Sequence, residues 1–504
     1  MLVAASRKLF AFPVMLASIV VLWVYLAAGH GVGDPDIWWH LKNAEHLFQN
    51  GRLPDSDLFS FTMAGHPWVN HEWLAEIPYY LAWRAGGLTG LYVLFLLLLI
   101  VILLGNFYWA FRTSGNLKGA FLVGCYSVLL AAVSFGPRMI LFGYLAMLLL
   151  LLLLWRERTS GDAPLWTMPL IFCFWINCHA SWLFGFILLA IFMVSGLWEG
   201  SWGRVEARRW SRRQFRRLLA YGGVSVAALF VNPIGYRLVF YPFEFIFEQK
   251  LNVASIDEWA SVNFHDARGK VVLAFLAALF LGALLRNCRW KLEEVLLAGL
   301  GIYLGLTHIR FLFLAALVTA PFAARLLDLV PPYRPEIDKA AINAVILAGV
   351  LTVVVARFPS EAKLQRDVEQ RYPEAALRYM EQQGIRGRTF HDYVWGGYLV
   401  WRAPWMKTFV DGRTDIFETG GVLKDYLDVL ALKDSFAVLD RHRIDFVMAR
   451  TDSRLAYLVE NSENWKLTYR DEVTSLYERA RPISTQPASQ AGLVGAGAAA
   501  DARP

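Results

Sequence analysis

The recurrence of apolar blocks about as long as a bilayer is thick constrains this chain more than any other feature. They lie at approximately 9–29, 88–111, 118–135, 139–155, 164–177, 181–198, 217–231, 271–285, 292–306, 309–327 and 340–357. A helix needs roughly 20 such residues to cross the hydrocarbon core. The fifth, seventh and ninth blocks are short or broken by small and polar residues, so the expectation is about eleven membrane helices. With 57% hydrophobic residues, the chain is far too apolar for a soluble enzyme of its length. The first block follows Arg7 and Lys8 and does not read as a cleavable signal: its core is too long and no small-residue cleavage site follows it.

A net charge of +7 raises nucleic acid as a partner, but the placement of the charge argues against it. Alternate loops are basic: Arg112 and Lys118, Arg156 and Arg158, the dense run from Arg204 to Arg217, Arg286 to Lys291, then Arg334 and Lys339. The longer intervening loops are poor in Lys and Arg, which is the positive-inside asymmetry. It predicts a multi-pass protein of the plasma (bacterial inner) membrane. The N-terminus is expected in the cytoplasm and the C-terminal region on the periplasmic or extracellular side. The Arg204–Arg217 run reads as a topology anchor or an anionic-lipid contact. Cys125, Cys173, Cys178 and Cys288 lie in or beside apolar blocks without metal-like spacing, as buried free thiols do.

The expected organisation is a membrane region over 1–357 with long external loops at 30–87 and 232–270. An α/β region follows at 358–480, and an Ala-, Gly-, Ser- and Pro-rich disordered tail at 481–504. Helical patterning near Tyr372–Gln383 and β-like runs at Phe446–Ala449 and Trp465–Tyr469 support the mixed class.

The first external loop opens with Gly33-Asp34-Pro35-Asp36-Ile37-Trp38-Trp39-His40. Two carboxylates at the membrane surface can share a divalent cation or divide the roles of base and orienting group. One can instead cap the helix starting near Ile37. Pro54-Asp55-Ser56-Asp57 reads as a turn. Pro67 to Leu74 contains His71 and Glu72, which can face the same cavity as the aspartates, and Trp68 and Trp73, which can be interfacial anchors. Arg138 follows Gly136-Pro137 in an external turn, and Asn177 and His179 occupy another.

Asp34 and Asp36 after a first span, then helix Leu41–Asn50, Gly51, Pro54 and Pro67–Leu74 before the next span, resemble the GT-C superfamily. Its members are multispanning glycosyltransferases that use polyprenyl-phosphate-linked sugars, with an acidic motif in the first external loop. Ser255-Ile256-Asp257-Glu258-Trp259 resembles the Ser-Val-x-Glu motif of oligosaccharyltransferase catalytic subunits, in which the Glu helps to hold the acceptor; an ordinary acidic loop is the alternative. Thr307-His308-Ile309-Arg310-Phe311 resembles the segment whose Arg contacts the donor phosphate in that family, and an Arg fork suits phosphate oxygens. Asp392 to Tyr398 followed by Asp411-Gly412-Arg413 is loosely similar to the Trp-Trp-Asp-Tyr-Gly region. The literal motif is absent, and Gly396 and Gly397 read as a tight turn.

The resemblance implies a polytopic α-helical, GT-C-like membrane protein with a C-terminal α/β domain, transferring a sugar or oligosaccharide from a polyprenyl-phosphate carrier. Asp34 and Asp36 are the expected catalytic pair or ligands of a divalent metal (Mg or Mn). Arg310 and Arg138 are expected at the donor phosphate, and His71, Glu72, Asp257, Glu258 and Trp259 on the acceptor side or cavity wall. The acceptor stays open. The competing readings are a non-catalytic transporter or scaffold of envelope polysaccharide assembly, and a polysaccharide polymerase or ligase.

Overall fold

The computed structural model describes residues 8–29, 32–255, 257–327 and 331–480. The expected tail at 481–504 lies outside the described residues, as does Ile256.

A helix lies at each of the eleven expected segments. In chain order with the intervening short helices, they are α1 (Phe12–Ala28), α2 (Ile37–Asn50), α3 (Trp73–Ser114), α4 (Leu117–Ala131), α5 (Ile140–Ser160), α6 (Met168–Cys178), α7 (Trp182–Ser195), α8 (Arg212–Ala228), α9 (Tyr236–Glu248), α10 (Lys250–Ser255), α11 (Ala267–Leu285), α12 (Leu292–Thr307), α13 (Leu312–Leu326) and α14 (Ala340–Arg357). Among the described residues, six helical segments are long and apolar enough to cross a membrane: those containing α3, α4, α5, α11, α13 and α14. The helices α1, α6 and α7 are apolar but shorter. The helix α8 opens on Arg212 and Arg213 behind a Ser211–Gln214 capping box, which ties its start to polar surroundings.

Burial separates inner from outer helices. The helix α13 is buried along nearly its whole length, whereas α14 presents Ile342, Val345, Leu351 and Val355 outward. Such a face suits lipid and not water. Asn343 is the polar exception: its amide donates to the Phe10 carbonyl at 2.8 Å and to Asp338 at 2.7 Å, pinning α14 to the start of α1.

The long helix α3 is broken at Gly86–Gly87, where Gly87 has φ +57°, a conformation that a side chain disfavours. The second half is capped from outside: the Glu361 carboxylate accepts from the backbone N–H groups of Leu88 (3.0 Å) and Thr89 (2.8 Å). An anion at a helix N-terminus satisfies groups that otherwise lack partners. The first half of α3 therefore lies within the expected external loop and carries Glu76 into the site.

At the far end of α5, about 30 Å away at 1.5 Å per residue, two short segments, β1 (Gly200–Trp202) and β2 (Val205–Ala207), form a small sheet with β3 (Trp290–Lys291). Nearby Arg158 makes a two-pronged pair with Glu293 (2.9 and 3.3 Å). The expected basic loops thus gather at the end opposite Arg138.

The C-terminal region is mixed α/β. Its sheet runs in the order β4 (Thr389–His391), β5 (Phe446–Arg450), β7 (Thr474–Arg479), β6 (Trp465–Arg470), with β4 parallel to β5 and the other pairs antiparallel. Its helices are α15 (Glu361–Glu369), α16 (Glu374–Gln382), α17 (Tyr393–Arg402), α18 (Thr414–Thr419), α19 (Val422–Leu430), α20 (Ser435–Arg441) and α21 (Arg454–Glu460). Gly396 and Gly397 sit inside α17 and not in a turn. Their role is close approach: a Cβ at Gly397 would strike the Pro35 carbonyl, and one at Gly412 the Asp36 carboxylate.

This region is stitched to both long loops. Thr408 donates to the Phe59 carbonyl and accepts from Phe61 N–H, each at 3.0 Å. The Glu418 carboxylate accepts from the N–H groups of Leu251 and Asn252, both at 2.7 Å. Trp68 is buried against Trp39 and is not an interfacial anchor.

Candidate active site

The loop after α1 delivers Asp34 and Asp36 to the base of α2. Asp36 occupies the N-cap position, but its side chain makes no capping bond. Instead its Oδ1 accepts from the Trp39 indole at 3.2 Å. Its Oδ2 has no hydrogen-bond partner among the described residues. Asp34 Oδ1 accepts from the Asp36 backbone N–H at 3.0 Å, which fixes the two carboxylates relative to each other.

Arg138, just before α5, bridges two loops. Its Nε lies 2.6 Å from Asp34 Oδ2 and its Nη2 lies 2.7 Å from Glu258 Oε1. Burial works against its charge, and Asp34 and Glu258 more than offset that, so it stays protonated. Arg310 lies at the start of the short turn into α13, with its guanidinium 4.3 Å above the Trp259 ring. That guanidinium has no hydrogen bond or ion pair among the described residues. A half-buried cation that makes no ion pair is costly unless something else neutralises it.

A second acidic group lies alongside. The Glu72 carboxylate faces His40 Nε2 (3.4 Å), His179 Nε2 (3.4 Å) and His71 Nε2 (3.8 Å). On its other side, His40 Nδ1 meets Glu76 at 2.9 Å, and Glu76 also accepts from Asn43 (3.1 Å) and Asn70 (2.9 Å). His71 stacks on Tyr241 at 4.3 Å, and the Tyr241 hydroxyl donates to Asp415 of α18 at 3.2 Å.

Burial, and then the neighbouring Asp34 charge, push Asp36 up to about 6. Burial pushes Glu72 up to about 7, with Glu76 and Asp36 adding to it and His40 opposing. Burial drives His71 down to about 3 and His179 well below the usual imidazole range, so both are neutral. Carboxyls poised this close to neutrality suit proton transfer.

Asp34, Asp36, Arg138, Glu258, Arg310, Trp259, His71 and Glu72 therefore gather at one end of the bundle. Asp257 does not join them; it is exposed in the turn beside Glu258. The sequence reading gave no role to His40 or Glu76, although they stand four residues after Asp36 and Glu72 on helices, the spacing that puts side chains on one face. Nor did it single out Tyr241 or Arg371, whose guanidinium fills the space beside Gly33. No local pattern marks either. Asn177 is structural: it accepts from the Trp73 indole at 2.9 Å and donates to the Val231 carbonyl at 3.0 Å.

The donors fit a divalent ion at the aspartate pair poorly. Both Asp34 oxygens are engaged, one by Arg138 and one by a backbone N–H. Among the described residues, no group of three or more His, Cys, Asp or Glu is arranged to hold a metal ion.

No family model and no curated protein matches the sequence. Among solved structures, the oligosaccharyltransferase of Archaeoglobus fulgidus, crystallised with a tethered acceptor peptide containing the NVT sequon, is similar over 93% of this chain and 74% of its own, at 12% identity and a TM-score of 0.52. ArnT from Cupriavidus metallidurans, crystallised with undecaprenyl phosphate, aligns over 91% of this chain and 96% of its own, at 14% identity and a TM-score of 0.48. The first likeness shows the fold alone: this is a polytopic helical membrane protein with a GT-C-like fold, shared with that oligosaccharyltransferase.

Proposed function

We propose that the protein transfers a sugar or oligosaccharide from a polyprenyl-phosphate-linked donor to an acceptor on the extracytoplasmic face of the membrane. The observation that carries the proposal is an ionisable carboxylate, Asp36, with one open oxygen, in the same cluster as an unpaired guanidinium, Arg310. In this reading Asp36 takes the acceptor's proton as the acceptor atom bonds to the sugar's anomeric carbon. The bond from that carbon to the phosphate oxygen breaks, and the polyprenyl phosphate leaves as an anion. Arg310 neutralises the departing phosphate, held by Trp259 where the charge develops. Glu258 and the loops joined to the C-terminal region shape the acceptor side.

Asp36→Asn is expected to reduce transfer by about 100- to 10,000-fold, the range for a positioned general base, with expression and melting unharmed. Full activity in that variant would remove the central claim. Mass spectrometry of lipid co-purifying with the protein separates this reading from a transporter or scaffold: a polyprenyl-phosphate sugar is expected, and its identity would name the donor.

A further inference from the structure

We propose that Arg138 is the resident cation of this site, standing where its carboxylates would otherwise gather a divalent metal, so that transfer needs no such metal. The inference rests on the glycosyltransferase reading for its consequence, but not for its test. Carboxylates brought together from separate loops repel unless a cation lies between them. Asp34 comes from the first loop and Glu258 from the second, and Arg138 reaches both through different nitrogens at 2.6 and 2.7 Å. A planar guanidinium can hold two carboxylates at once, and charge-assisted bonds of this length are the strong ones.

The position of Arg138 is fixed by its own backbone. Its carbonyl accepts from Leu141 N–H at 3.2 Å and from the Tyr79 hydroxyl at 3.4 Å. The Gly136 backbone also packs against Asp34. Magnesium keeps several waters and takes one or two carboxylates, but a second cation placed between Asp34 and Glu258 would lie against the Arg138 guanidinium and be repelled by it. Asp34 already accepts at both oxygens and Glu258 at one, which leaves Asp36 with an oxygen free of any bond among the described residues. Because Arg138 is already neutralised twice, Arg310 is left as the cation available to the donor phosphate.

The test is manganese binding by the purified full-length protein, read by electron paramagnetic resonance and by melting temperature. Neither readout needs turnover, so it stands whether or not transfer is found. Wild type is expected to show no saturable binding and no melting shift. Arg138→Ala removes the cation that pairs with both Asp34 and Glu258, and is expected to bind manganese and melt higher in its presence. Where transfer is assayed, wild type treated with a chelator is expected to keep its full rate. Saturable binding by wild type that Asp34→Asn abolishes, or chelator-sensitive transfer restored by manganese, overturns the proposal, as does a folded Arg138→Ala that stays silent. Should Arg138→Ala yield no folded protein, the wild-type arm decides alone.

Discussion

Two arginines in this molecule each bridge two carboxylates at the same distances, and they do different things. Arg413 reaches Asp411 at 2.6 Å and Asp57 at 2.7 Å; Arg138 reaches Asp34 at 2.6 Å and Glu258 at 2.7 Å. Arg413 is shut off completely between the rings of Phe59 and Trp68, at 4.9 and 5.1 Å. Burial works to raise Asp57, yet the Arg413 charge and the Ser60 and Phe59 bonds hold it below the usual carboxylate range. Around Arg138 the balance is incomplete: Asp36 and Glu72 are pushed up and Arg310 makes no ion pair among the described residues. Ion-pair distance therefore does not mark a working site. The imbalance left after pairing does, because acids near neutrality and unpaired cations are what a reaction can use.

Arg413→Met offers the largest effect on stability. It strands Asp57 and Asp411 as buried charges, and breaking a buried pair from one side costs about 3–5 kcal/mol. Chemical denaturation should show that loss, while transfer per folded molecule stays near wild type. A stable variant that loses transfer would reverse the assignment and make Arg413 part of the chemistry.

A smaller effect, confined to function, is expected at the other end of the comparison. Arg310→Ala removes the unpaired cation and should weaken donor use by about 10- to 100-fold, the scale of one charge-assisted bond at about 1.5–3 kcal/mol. Arg310→Lys should recover only part of it, since an ammonium lacks the fork. Melting should fall little, because the wild-type guanidinium makes no ion pair among the described residues and loses only its stacking on Trp259. A drop in melting without a change in kinetics would make Arg310 a structural residue stacked on Trp259.

What was legible beforehand follows the physics of each feature. Apolar length announces a membrane helix directly, so α3, α5, α13 and α14 were readable from composition. Asp34, Asp36, Arg138, Glu258 and Arg310 were each visible as polar residues beside such helices. Their pairing was not, because whether Arg138 meets a phosphate or Asp34 depends on how far-separated loops pack. His40 and Glu76 were within reach of helical spacing. Gly396 and Gly397 read as turn residues in the sequence, because the Pro35 carbonyl that Gly397 approaches comes from a loop far away in the chain. Arg371 carried no local signal at all.

The finest test sets the two arginine clusters against pH, where they should act with opposite sign. Asp57 has a folded value below the usual 3.8, so its contribution to stability is present above 3.8 and lost as pH falls through the folded value. Asp36 has a folded value raised from 3.8 to about 6. Its contribution is complete below 3.8 and is lost as pH rises through about 6. Catalysis asks for the reverse, since a base must be ionised, so transfer should climb through about 6 as melting temperature falls. Glu72, raised to about 7, pulls in the same direction slightly later. Asp57→Asn should flatten the acid limb of melting against pH and leave the upper limb. Asp36→Asn should flatten the upper limb and leave the acid one. If both variants flatten the same limb, the two clusters are one electrostatic unit, and the distinction between a clamp and a working site fails at its root.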